Sequence, residues 1–265
     1  MEQIVIAAII IALGFYVFKF YPMDKGNVKK LALAAVFIIL TAVCKRFLSF
    51  MIPLFGLESF KVGIEYLPLL VAGFILNPSY AFIIGLTSDL IGLILVPTSF
   101  PFFGFTLTTI LVCVIPSLIC EYSKKLNADW IQKIAIGAIS VIGLSASLYI
   151  YQLHEVKISD TVYVLLTKDK VMFISLCIVL SLLFIGLICY LRNRINASES
   201  RQFAIWMFAV ILTEIICTLC LTPLWLNFMY GIPFLVSFCI RVIKECFIIP
   251  LEIFLGYTII KILKK

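Results

Sequence analysis

Nine ionisable residues stand in stretches apolar enough to lie in a bilayer: Lys45, Arg46, Lys61, Glu65, Asp89, Arg241, Lys244, Glu245 and Glu252. An ionised group at membrane depth is expensive unless it faces a cavity or a partner, and a plain anchor would not keep so many. They point to a chain that does chemistry or transport inside the membrane. Arg241 and Glu245 are four apart on one helical face, the spacing of an internal ion pair. Asp89 lies mid-helix between Gly85 and Gly92, where a hydrogen bond within the bundle is expected. Arg46 ends its helix and either snorkels to the interface or meets a ligand. Glu252 is expected to pair within the bundle. Glu214 stands alone in its span, and the sequence assigns it no role.

The elements that must hold these residues are membrane helices. Of 265 residues, 63% are hydrophobic and 13% charged, against about a quarter charged in a soluble domain; mean hydropathy is +1.18. The pattern also lacks the alternating ten-residue segments of a membrane barrel. An all-α polytopic membrane protein is expected, with nine hydrophobic helices near 2–20, 31–51, 64–77, 79–96, 104–122, 131–153, 171–191, 203–222 and 233–263. The third is short, and Pro250 should kink or tilt the last. The first resembles a signal-peptide core but lacks a basic region before it and a small-x-small site after it, so it is expected to be retained.

Basic residues set the orientation. Lys19, Lys25, Lys29 and Lys30, then Lys124, Lys125 and Lys133, then Arg192, Arg194 and Arg201, and finally Lys261, Lys264 and Lys265 fall on one side. Positive-inside places that side in the cytoplasm, with the N-terminus outside and the C-terminus inside. The net charge of +7 is then topological and implies no nucleic acid. The nine cysteines all fall in hydrophobic runs, where they pack as small hydrophobes. Cys217 and Cys220 form a C-x-x-C on an apolar helix with no histidine nearby, a poor metal or redox site.

Several activities are excluded or disfavoured. No G-x-x-x-x-G-K-[ST] occurs, so no P-loop hydrolyses a nucleotide. His154 is the sole histidine, and H-E-x-x-H and G-x-S-x-G are absent. No enzyme site, metal or cofactor is expected. If the chain transports something, an ion gradient or a separate ATPase must drive it.

Three loops fall on the outward side: Phe50–Gly63, Pro97–Phe103 and Thr222–Pro233. They are rich in aromatic, Gly and Pro residues. Such aromatics are interface-belt residues, or they form, with Arg46 and Lys61, the mouth of a site for a flat, aromatic, anionic ligand. Trp225, Asn227 and Tyr230 either order the last of these loops or touch that ligand.

Read in order, Lys45-Arg-Phe-Leu-Ser49, Lys61-Val-Gly-Ile-Glu-Tyr-Leu-Pro68, Ala72-Gly-Phe-Ile-Leu-Asn-Pro78, Gly85-Leu-Thr-Ser-Asp-Leu-Ile-Gly92, Phe103-Gly-Phe-Thr-Leu107, Leu224-Trp-Leu-Asn-Phe-Met-Tyr-Gly-Ile-Pro-Phe234, Arg241-Val-Ile-Lys244 and Pro250-Leu-Glu-Ile253 resemble the folate-type substrate-binding (S) component of an energy-coupling factor (ECF) transporter. The resemblance covers roughly 31–121 and 203–263. It implies a six-helix core that binds folate or a related vitamin at its outward face. It also implies partnership with a transmembrane coupling protein and two cytosolic ATPase subunits in the bacterial cell membrane, and delivery of ligand by toppling. The substrate residues implied are Arg46, Lys61, Tyr66, Phe103, Thr106, Trp225, Asn227 and Arg241, with Ala34, Ala35 and Ala42 docking the coupling protein. Ile38 and Ile39 interrupt that small-residue face, Phe102-Phe103-Gly104 replaces a Phe-Pro-Gly, and Glu65 stands where a small residue is usual. Another vitamin or heterocycle, or a membrane scaffold or enzyme without vitamin binding, are the alternatives.

The expected organisation is 1–30 as an additional helix and linker, 31–122 as the first four core helices, 123–202 as an inserted helix pair, and 203–265 as the last two core helices. Adding one helix and then two leaves the orientation of the core unchanged.

Overall fold

The computed structural model describes residues 2–24, 27–51, 61–95, 102–123, 197–232 and 234–263, with single residues and short runs between 130 and 186. The helices are α1 (Glu2–Phe20), α2 (Val28–Phe47), α3 (Leu67–Ile75), α4 (Pro78–Leu95), α5 (Phe103–Tyr122), α6 (Ala197–Glu214), α7 (Thr222–Tyr230) and α8 (Phe234–Leu263). A π-helix, Ile215–Leu221, joins α6 to α7. Two antiparallel hairpins complete the elements: β1 (Ser49–Met51) with β2 (Lys61–Gly63), and β3 (Glu155–Ile158) with β4 (Thr161–Val164). The described residues from 130 to 152 and from 167 to 186 are all helical. The all-α membrane class holds, the strands being short loop elements.

Three expected spans change. The stretch 31–51 is helical only to Phe47, because the chain then turns into β1, where paired strands satisfy backbone groups that a loop would leave open. The third helix is nine residues, a rise of about 13 Å that cannot cross a hydrocarbon core. Eight of those residues, Leu67–Phe74, are buried, as an all-round apolar helix requires. The loop expected at Thr222–Pro233 is helical to Tyr230, so Arg201–Tyr230 is one 30-residue apolar run. Pro223 lacks an N–H, and its ring would strike the carbonyl four residues back in a regular turn. The wider π turns before it relieve that clash, and the Thr222 hydroxyl donates to the Cys217 carbonyl at 2.7 Å. At Pro250 the helix is unbroken from Phe234 to Leu263.

Among the described residues, four helices are long and apolar enough to cross a membrane: Gln3–Phe20, Phe103–Tyr122, Arg201–Tyr230 and Ile240–Leu263. α3 sits at the centre, packed on α5, α8, α2 and α4, while α5 also packs on α4 and α6. Backbones approach closely there. A Cβ on Gly73 would strike the Cys113 carbonyl, and one on Gly85 would lie 2.6 Å from the Ile110 Cα. Lipid removes the hydrophobic drive between helices, so packing and interhelical hydrogen bonds carry cohesion. The Ser117 hydroxyl donates to the Leu76 carbonyl at 2.7 Å, and the Trp206 indole N–H to the Ile253 carbonyl at 2.9 Å. The latter fixes α6 against antiparallel α8.

Candidate substrate site

The C-terminal ends of α2, α4 and α7 and the N-terminal ends of α5 and α8 meet at one end of the bundle, beside the β1–β2 hairpin. Just below it, Asp89 of α4 is buried to 3% exposure. It accepts hydrogen bonds from the Thr106 hydroxyl at 2.7 Å and the Thr109 hydroxyl at 3.4 Å, both on α5. The Lys45 ammonium of α2 lies 3.6 Å from Asp89 Oδ1. The bundle hydrogen bond expected of Asp89 is present, and an ion pair accompanies it. Thr106 is committed to Asp89, whereas Phe103 is exposed.

An aromatic wall stands beside this hub. Phe102 packs edge-on to Phe105 and Trp225, with centroids 5.9 and 5.8 Å apart, and Trp225 lies 6.2 Å from Phe228. The Trp225 indole N–H donates to the Thr108 hydroxyl at 3.0 Å, which in turn donates to the Gly104 carbonyl at 3.0 Å. Only glycine fits at 104, since a Cβ there would lie 2.7 Å from the Trp225 ring and strike Phe102. Ile6, Ile10 and Leu13 of α1 cover the outside of this cluster. Asn227 donates to the Ile232 carbonyl at 2.9 Å, and Gly231, at φ +65°, closes α7 in the left-handed region that glycine adopts freely.

A third group lies between α3, α6 and α8. Half-buried Tyr66 precedes α3, and Arg241 of α8 faces Tyr66, Glu245, Glu214 and Glu65. The close cation at Glu245 is Lys244, at 3.6 Å, rather than the Arg241 expected from spacing. Glu214, Glu245 and Glu252 are all buried, with Glu214 facing both others. Glu214 Oε2 accepts from the Thr218 hydroxyl at 2.6 Å. No hydroxyl or N–H group among the described residues donates to Glu214 Oε1 or to either oxygen of Glu245 and Glu252; the Glu214 carboxyl lies within hydrogen-bonding reach of both of the others. Glu245 and Glu252 are seven apart, two turns along one face of α8; that was legible, but their meeting with Glu214 needed the α6–α8 register. Among the described residues no group of His, Cys, Asp or Glu could hold a metal ion.

The folate transporter FolT of Clostridium novyi (strain NT) is 31% identical to the chain over 153 residues, which is 57% of this chain and 84% of that relative. The chain belongs to the FolT folate transporter family. These are the folate-type S components of ECF transporters that the sequence resembles. A solved structure described as FolT bound with folic acid has the same fold, with a TM-score of 0.50 and 19% identity, covering 89% of this chain and 97% of that one. No family model matches.

Of the substrate residues the resemblance implies, Tyr66 and Arg241 lie near the acidic group. Thr106 joins Asp89, and Trp225 and Asn227 use their N–H donors within the wall and the turn. Arg46 ends α2 and Lys61 begins β2, but their side chains lie outside the described residues. Of the alanines the resemblance implies for docking, Ala34 is buried in the chain's own core, Ala42 is partly buried and Ala35 is exposed. Val36, Ile39 and Val43 share the exposed surface of α2.

Proposed function

We propose that this multi-pass membrane protein is the vitamin-binding subunit of an ATP-driven ECF importer, with folate or a related pterin as its ligand. Family membership carries this reading. The furnishing of the hairpin end supports it: cationic Lys45 near the end of α2, the aromatic Phe102, Phe103 and Phe105 at the start of α5, and Arg46 and Lys61 on the backbone of α2 and β2. Folate is a flat ring with an anionic glutamate tail, and ring faces with cations suit both parts. On this reading the hairpin end faces outward, the N-terminus is outside, and the C-terminus is cytoplasmic. Residues 31–122 and 203–265 form the core, with 1–30 and 123–202 added to it. The chain has no catalytic role of its own. A transmembrane coupling protein and two cytosolic ATPase subunits supply the work, and the ligand is delivered by reorientation in the membrane.

The test is calorimetric titration of the detergent-purified chain with folic acid. Nanomolar one-site binding supports the proposal; absence of binding defeats the folate assignment. A second reading, motivated by Glu65 and Phe102-Phe103-Gly104, keeps the fold and changes the ligand to another flat vitamin. A competition panel of vitamins separates the two.

A further inference from the structure

α1 lies outside the stretches that carry the family resemblance, and most of it is uncovered: only 17% of Gln3–Phe20 is buried. A helix that merely anchors needs no fixed partner, yet this one has several along one face. Ile6, Ile10, Leu13 and Val17 recur at the spacing of a single helical stripe, and α1 packs on α4 and α5. Its C-terminal end is pinned. The Ser79 hydroxyl donates to the Tyr21 carbonyl, and the Tyr80 hydroxyl to the Asp24 carbonyl at 3.4 Å. Phe82 of α4 fills the notch at Gly14, where a Cβ would lie 3.0 Å from its ring, and Phe18 meets Phe82 edge-on at 5.8 Å.

With that end fixed, the other end has a set place. Ile6 is buried there in one cluster with Phe102, Leu107 and Trp225, and Ile10 and Leu13 pack against it. The bundle holds Trp225 through its hydrogen bond to Thr108; α1 closes the cluster from outside. A lipid chain in place of Ile6 would be just as apolar, but it would not be fixed. A side chain on a docked helix keeps the rings in one arrangement, and a ligand that meets ordered rings loses less free energy to ordering them. We propose that Ile6 is a positioning residue for the ligand site: it backs Phe102 and Trp225, so α1 sets ligand affinity as well as adding a span. This rests on the proposed folate reading and on the aromatic wall belonging to that site.

The experiment titrates the full detergent-purified chain with folic acid by calorimetry and follows release of radiolabelled folic acid. Ile6→Ala should weaken binding at least about fivefold, mostly through faster release, because the wall is less ordered. Ile6→Leu, which keeps the volume, should restore binding to within about twofold of wild type. Val17→Ala makes a comparable hole at the pinned end of the same helix; it should lower the melting temperature and leave binding within about twofold. Folic acid binding unchanged in Ile6→Ala overturns the inference and leaves the vitamin-carrier reading intact. Equal weakening by Val17→Ala overturns it too, since the effect is then general loosening. Should Ile6→Ala fail to fold, Ile10→Ala must weaken binding at least about threefold, and unchanged binding there overturns the inference. If wild type does not bind folic acid, the folate reading falls and this assignment falls with it.

Discussion

Lys45 and Asp89 meet at 3.6 Å, one more than a third exposed and the other almost wholly buried. The carboxylate is held from α5 by two threonine hydroxyls, so the pair ties α2, α4 and α5 together beneath the hairpin end. Its two members therefore differ: Asp89 organises the bundle, and Lys45 keeps its ammonium partly solvated.

Asp89→Ala should accordingly destabilise the chain by about 2–3 kcal/mol, since two hydroxyls lose their acceptor and a cation its partner. Lys45→Met should cost under about 1 kcal/mol, because the ammonium is substantially solvated. Lys45→Met should instead weaken folic acid binding. Thermal unfolding in detergent beside calorimetric titration checks both; equal destabilisation by the two substitutions would contradict this division.

Trp225 is a wall residue by its contacts. Trp225→Phe removes the donor to Thr108 and should cost about 1–2 kcal/mol. Gly104→Ala should cost about as much or more, because the added methyl has no room beside Phe102 and Trp225. The two effects should not add, since both act on one ring contact. Melting curves of the single and double variants test this, and full additivity would argue against a shared contact.

On the proposed docking through α2, docking and folding should separate at neighbouring alanines. Ala34 is buried in the core, so Ala34→Leu should lower the melting temperature. Ala35 is exposed, so Ala35→Trp should leave melting and folic acid binding unchanged. It should also reduce co-purification of the coupling protein and ATPases when all are expressed together. Undiminished co-purification would place the docking surface elsewhere on α2 or on another helix.

Much of this was open to reading from residue order. Hydrophobic runs located the helices, and Asp89 between two glycines marked a bundle hydrogen bond. That Asp89 bonds within the bundle was legible; that Thr106, Thr109 and Lys45 are its partners was not, because they come from other helices. The acidic group was not legible either. Glu214 looked solitary because its neighbours come from α8, and only the Trp206–Ile253 contact brings the two helices into register. Trp225 and Asn227 could be read as loop residues or as ligand contacts, because sequence does not tell whether an N–H is already spent. The end of α6 was misjudged for a related reason: Thr222-Pro223 signals a break, whereas the chain answers with wider turns and continues.

Those wider turns govern phase. Eleven residues separate Glu214 from Trp225, close to three turns of regular α-helix, which would bring the carboxylate and the indole onto one side. With the π run between them, Glu214 turns to α8 and Trp225 to Thr108 of α5. One continuous rod thus furnishes two separate walls. Removing a single residue from 215–221 would rotate everything beyond it by about 100°. The indole would leave its seat on Gly104 while the carboxylate stayed in place. The number of residues in that run is as strict a requirement as the identity of any side chain it separates.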